Sequence, residues 1–220
     1  TTSPFQGKKL GDIDGCIFAF CEPTDEARSM LAGREIPAVV INRADGELPS
    51  VLNDYEAGMR ALAEEIARRR PGERVAYLSV TTAEPVARYR WEALRAQPTL
   101  SLTDEDRFEF PSVGELTAAA VRELVDAGYR VLVCANDLVA IAAYERLLQL
   151  GLRVPEDVGL TGYDAAPARD LISVPITTVE LGVCELGREA ARLLVEAILS
   201  RTTPRGRITC AGELHAGATL

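Results

Sequence analysis

Short β-branched runs alternate along this chain with stretches of amphipathic helical periodicity, and that alternation limits the fold more than any other feature. Ile13 to Phe20, Ile36 to Ile41, Arg74 to Val80, Arg130 to Cys134, Val158 to Thr161, Ile176 to Val179 and Ile208 to Leu214 read as strands. The strongest are nearly continuous apolar runs, as strands covered on both faces are. Between them, Tyr55, Met59, Leu62, Ile66 and Ala67 share one helical face, and so do Leu116, Ala120, Leu124 and Val125, in a helix that stops at Gly128. The segment Leu138 to Leu150 starts after an N-cap, Asn136 or Asp137, and ends at Gly151. Val183 to Leu199 is the longest helix, with Leu186, Ala190, Leu193, Leu194, Ala197 and Ile198 inward. Alternating β and α elements predict a mostly parallel, open α/β sheet architecture.

A chain of 220 residues can bury a core without disulfide or metal staples. Its net charge of −9 argues against direct nucleic-acid binding, which needs a basic surface that releases counterions. The run Arg68-Arg69-Arg70 reads as a solvated helix C-terminus complementing the dipole, with Pro71-Gly72 ending the helix and offering a crossing point between lobes. Hydrophobic content of 47% excludes disorder, and no apolar run approaches the ~20 residues of a membrane span. Cys16, Cys21, Cys134, Cys184 and Cys210 are odd in number and scattered, with no CxxC and only His215 beside them. A zinc site is therefore not expected, no cofactor is implied, and a reducing cytoplasm fits best.

Enzyme signatures are scarce. There is no GxSxG elbow, no GxxxxGK[ST] phosphate loop and no GxGxxG after a strand. The carboxylate pairs Asp12/Asp14 and Asp104/Asp106 sit in polar loop contexts, and nothing assembles a nucleophile, base and orienting group. What remains is polar chemistry near the carboxyl ends of apolar strands, where open α/β sheets bind ligands. Asn136-Asp137 follows the strand ending at Cys134, Asp164 follows Thr161 through Gly162-Tyr163, and Arg90 lies within the helical stretch Val86 to Ala96. An amide, a carboxylate and a guanidinium form a hydrogen-bonding set suited to a polyhydroxylated ligand. Each has a plainer reading: Asn136 as an N-cap only, Asp164 as a turn residue, Arg90 as a surface helix charge.

The stretch Cys134 to Val179 combines ND, GLRVPED, GYD and PITT in that order. It closely resembles the effector-binding core of LacI/GalR-family transcriptional regulators. Gly187-Arg188-Glu189-Ala190 and the helix after it fit the same pattern, and Asp14-Gly15, Ile36-Pro37 and Val51 through Asp54 to Gly58 fit it more loosely. The resemblance implies an α/β fold of the two-lobe, periplasmic-binding-protein-like type I, with open parallel sheets and helices on both faces. Residues 1–72 with 178–204 would form the first lobe, and 73–177 with 205–220 the second. It implies a small-molecule effector, a sugar or related metabolite, held in the interlobe cleft by Arg90, Asn136 and Asp164. Phe110, or Phe108, would be the aromatic that stacks on it. It implies a homodimer, built on Leu138 to Leu150 and the segment after Asp164, that controls operator DNA through a separate helix-turn-helix, with no membrane partner.

Departures bear on the effector. Ala165 stands where the family has a second Asp, Ala93 replaces a glycine, Pro71 to Val75 replace the usual entry to the second lobe, and Ala216 replaces an Arg. The chain also starts near the family's third strand, without the opening strand and helix or the helix-turn-helix. That predicts an open sheet edge, an uncovered apolar helix face, and a chain that is a piece of a longer protein. A sugar-binding protein of a transport system is the alternative with the same architecture, and an enzyme is a third.

Overall fold

The structure, a computed structural model, describes residues 13–43, 46–81, 85–167, 172–202 and 206–220. Asp12 of the Asp12/Asp14 pair, and part of the segment after Asp164, lie outside them. The chain divides into two compact units, residues up to Asn53 with Val183–Cys210, and Asp54–Gly182 with Ala211–Leu220.

The first unit holds a parallel sheet of β1 (Cys16–Ala19), β2 (Ala38–Ile41), β3 (Ser50–Asn53) and β9 (Arg207–Cys210), in the order β1-β2-β3-β9. Helix α1 (Asp25–Gly33) starts at Thr24, whose hydroxyl accepts from the Ala27 amide, and two carboxylates in its first turn favour the dipole. Its Ala27 and Leu31 bury against Phe18, Ala38 and Val40. Helix α6 (Val183–Ser200) packs on β1, β2 and β3. β1 is the edge strand, and Ile13, Ile17 and Phe20 on and beside it are exposed, as are Val195 and Leu199 of α6. Among the described residues, the expected open edge and uncovered apolar helix positions are therefore present in this unit.

The second unit holds a parallel sheet in the order β5-β4-β6-β7, from β4 (Arg74–Val80), β5 (Arg107–Phe110), β6 (Tyr129–Cys134) and β7 (Gly159–Thr161). Alternation along β4 feeds both faces. Ala76, Leu78 and Val80 bury against α4 (Ala118–Asp126) and α5 (Asp137–Gln149), in a core that also takes Leu132, Cys134 and Leu160. Tyr77 points the other way, its ring tilted against Trp91 of α3 (Val86–Arg95) at 5.4 Å and its hydroxyl donating to the Ala87 carbonyl. Gly128 and Gly151, both at positive φ, stop α4 and α5 as expected. A short antiparallel pair joins β8 (Thr178–Val179) to β10 (Leu214–His215).

Three expectations need correcting. The run Ile208 to Leu214 is not one strand: Cys210 ends the pairing with β3, and Leu214 instead pairs with Val179. Leu116 lies before α4 rather than in it, although it is fully buried. Arg90 is not a surface helix charge, being 3% exposed. The boundaries expected at 72, 178 and 205 fall within the observed units, with α2 (Tyr55–Arg69) grouped in the second and β9 in the first. Helix α2 lies against α3 and β8, and a Cβ at Gly58 would meet the Tyr163 hydroxyl and Val179. Among the described residues no helix is long and apolar enough to cross a membrane.

Candidate functional site

At the carboxyl end of the second unit's sheet, two loops place polar groups beside α3. The first leaves β6 at Cys134 and enters α5. Asn136 caps that helix, its side-chain oxygen accepting from the Val139 amide at 3.0 Å. The N-cap reading of Asn136 is therefore correct, and the cap occupies the amide oxygen. The neighbouring Asp137 turns inward and is completely buried. Its two carboxylate oxygens accept from the Thr178 hydroxyl at 2.7 Å and the Ala166 amide at 2.6 Å. Asp137 thus ties three segments together, and a buried carboxylate needs such donors.

The second loop follows β7. Asp164 sits at φ 104 and Ala165 at φ 49, a backbone region that non-glycine residues enter only when their surroundings hold them there. The holding bonds are the Asp164 amide to the Val179 carbonyl at 2.8 Å and the Leu181 amide to the Asp164 carbonyl at 3.4 Å. They leave the Asp164 carboxylate facing α3.

There Arg90 meets it. Nη2 donates to Oδ1 of Asp164 at 2.6 Å, and Nη1 donates to the Ala135 carbonyl at 2.6 Å. The Arg90 guanidinium lies 4.0 Å from the ring centre of Tyr163 and 5.5 Å from that of Tyr55. Its Nε is buried without a hydrogen-bond partner, as are the hydroxyls of Ser79 on β4 and Thr161 on β7. Burial is the largest single effect and works against the guanidinium's charge, but Asp164 together with Tyr55, Tyr163 and Tyr77 outweighs it, so the proton is held more firmly than usual. Burial also pushes the Asp164 carboxyl above its ordinary value despite the opposing pull of Arg90. Asp164 keeps 29% of its side chain exposed. The pair therefore presents one solvent-reachable carboxylate backed by a fixed, buried cation.

Arg90 and Asp164 are brought together, and Asn136 lies on the loop whose Ala135 carbonyl Arg90 holds. Phe110 is not brought to them. It ends the edge strand β5, opposite Val80, and packs with Phe108 against the α4/α5 core, the sheet face away from α3. Phe108 makes an edge contact with Tyr129 at 5.4 Å. Sequence reasoning missed Asp137, Tyr55 and Tyr163 as site residues. His215 pairs with Glu180 at 2.9 Å on β10, while Asp104 and Asp106 bond to Arg95 and the Tyr129 hydroxyl.

A charge-paired polar edge on an open parallel α/β sheet is the layout of a small-molecule binding domain. The chain belongs to the periplasmic-binding-protein-like domain family, whose model matches residues 55–220. Its similarities lie with LacI-type regulators. It is 28% identical over 193 residues to the ribose operon repressor of Bacillus subtilis, covering 86% of this chain and 58% of that one. It is 26% identical over 212 residues to the transcriptional repressor PurR of Mannheimia succiniciproducens, covering 92% of this chain and 63% of that one. Among solved structures, a transcriptional regulator CelR–cellobiose complex matches with a TM-score of 0.80 at 26% identity, over 94% of this chain and 66% of that one. The chain thus spans about three fifths of the length of these curated relatives. These relatives are transcriptional regulators rather than enzymes.

Proposed function

We propose that this chain is the effector-sensing part of a LacI-type transcriptional repressor and is not itself catalytic. Its effector is a small polar metabolite of the sugar class, met by Arg90 and Asp164 with the Asn136 amide beside them. Operator DNA is contacted by a separate helix-turn-helix, the regulator works as a homodimer, and its place is the cytoplasm. The lobe division at residue 72 belongs to the same proposal. The observation that carries it is the 2.6 Å bond from buried Arg90 to partly exposed Asp164 at the sheet's carboxyl end. A carboxylate with a fixed cation behind it can accept from adjacent hydroxyls, which is what a sugar offers.

The named relatives support the same class, since one represses a ribose operon and another was solved with cellobiose. They favour a regulator over a sugar-binding protein of a transport system. The test is a thermal-shift screen of ribose, cellobiose, other mono- and disaccharides, polyols and nucleosides. A true effector at 100 times its dissociation constant adds about 2.7 kcal/mol of stability. Arg90→Ala and Asp164→Ala abolish that gain, and variants that bind the same compound as tightly as wild type would refute the site.

A further inference from the structure

The Arg90 guanidinium is fixed at only two of its three nitrogens. Nη1 bonds to the Ala135 carbonyl and Nη2 to Asp164, while the buried Nε has no acceptor. The covalent bond to Cδ is a third anchor, and the packing around the cation sets how tightly the group is held. Tyr163 and Tyr55 pack on it, with ring centres 4.0 and 5.5 Å from the guanidinium carbon. The two rings are 6.2 Å apart, so they flank the cation on adjacent sides rather than sandwich it. Aromatic faces attract a guanidinium through their quadrupole, most strongly where water is excluded.

Both rings are themselves held. Tyr163 is fully buried, and Gly58 of α2 lies so close that a Cβ there would meet its hydroxyl. Tyr55 is the first residue of α2, set by the Asp54 cap that accepts from the Ala57 amide at 2.9 Å. Its ring also packs on Tyr89, 6.1 Å away and one position before Arg90. We infer that Tyr55 and Tyr163 are positioning residues that hold the Arg90 guanidinium in place and so keep its charge on Asp164. They act through Arg90 and need not touch the effector.

A consequence concerns connectivity within the unit. Tyr55 stands two residues after Asn53, where the chain enters the second unit, and Asp164 bonds to Leu181, next to Gly182, where it leaves. One arginine therefore packs on Tyr55 at the entry and bonds to Asp164, which in turn bonds to the exit segment.

The functional weight of this rests on the reading of Arg90 as an effector contact, so the test is made without ligand and fails independently of that reading. The Arg90 Nε–Hε signal is identified by its loss in Arg90→Lys, and its hydrogen exchange is followed by NMR together with the titration of the Asp164 carboxyl carbon. Tyr55→Leu and Tyr163→Leu keep apolar volume but remove the ring face. Each is expected to speed Nε–Hε exchange at least tenfold and to raise the Asp164 midpoint by about one pH unit, as loss of a nearby cation does. Tyr55→Phe and Tyr163→Phe restore both to within twofold and a few tenths of a pH unit. Because Tyr163 is a core residue, Tyr55→Leu decides the matter if Tyr163→Leu does not fold. Wild-type exchange and titration in the Leu variants, or Phe variants as perturbed as the Leu ones, would overturn the proposal.

Discussion

Arg90 donates to Asp164 across 2.6 Å, joining a helix that packs on one face of the second sheet to the loop that follows its edge strand β7. The arginine is buried and its partner is partly in water. Truncating one member of a buried ion pair leaves the other charge uncompensated, at a cost of about 3–5 kcal/mol. Arg90→Ala is expected near the low end, about 3 kcal/mol, because Asp164 can turn toward solvent. Asp164→Ala, which strands the wholly buried guanidinium, is expected to cost at least as much. The double variant should fall short of the sum of the two by about 1–3 kcal/mol, read from urea unfolding curves. Strict additivity would show that the two side chains are not coupled.

The pH dependence of stability separates this carboxylate from an exposed one. The Asp164 carboxyl is raised by burial, so the folded chain binds that proton more tightly than the unfolded chain. Its contribution is favourable at low pH and is lost as pH climbs from the ordinary value, 3.8, through the folded one. Asp157 is the reverse. The Arg153 side chain and amide hold it down to about 2, so its contribution is present above 3.8 and lost as pH falls toward 2. Stability relative to Asp164→Asn should therefore decline with rising pH, and stability relative to Asp157→Asn should increase. Equal slopes for the two would contradict the buried setting of Asp164.

Asp137 holds the site's backbone from below. Its oxygens serve the Thr178 hydroxyl and the Ala166 amide, and Gly162 lies so near that a Cβ would approach the Asp137 Cα at 3.2 Å. Asp137→Ala strands the buried Thr178 hydroxyl and the half-buried Ala166 amide, and a buried donor left unpaired costs about 1–3 kcal/mol. Asp137→Asn keeps one acceptor and should lose roughly half as much. Gly162→Ala should be as damaging as Asp137→Ala, since the new methyl meets a carboxylate that cannot retreat. Chemical denaturation of the three variants ranks them, and a neutral Gly162→Ala would refute the packing.

The course of the chain was largely legible, because parallel strands buried on both faces announce themselves as apolar runs. Arg74 to Val80 matches β4 residue for residue. The missed strands are those whose burial comes from neighbours rather than composition. Ser50–Asn53 is half polar yet fully buried between β2 and β9, and Arg107–Phe110 is a short charged edge. The missed helix α1 has too few apolar positions for a clear stripe. In the site, the residue types near the strand ends were legible, but their states were not. Burial of Arg90, the inward turn of Asp137 and the flanking of Arg90 by Tyr55 and Tyr163 all arise from contacts distant in sequence. Periodicity carries no trace of such contacts. A weak signal for Asp137 was available in Gly162, a residue that leaves room for a group packed against it.

The homodimer expected of this family can be tested on α5. Leu138 and Leu148 are 57% and 52% exposed, and half-buried Ile141 lies between them in angle around the helix axis. Large apolar side chains repeating on one exposed helix face are what a self-complementary two-fold contact needs. The opposite face of the same helix buries Val139, Ala143 and Leu147 in the core, so changing the outer leucines should leave the fold intact. If the protein dimerises through this face, Leu138→Glu with Leu148→Glu is expected to convert the dimer into monomers in sedimentation velocity, with far-UV circular dichroism unchanged. Each buried leucine contributes about 1.5–3 kcal/mol, so two per subunit across a two-fold axis weaken association by several orders of magnitude. A dimer that survives both changes would move the interface off α5.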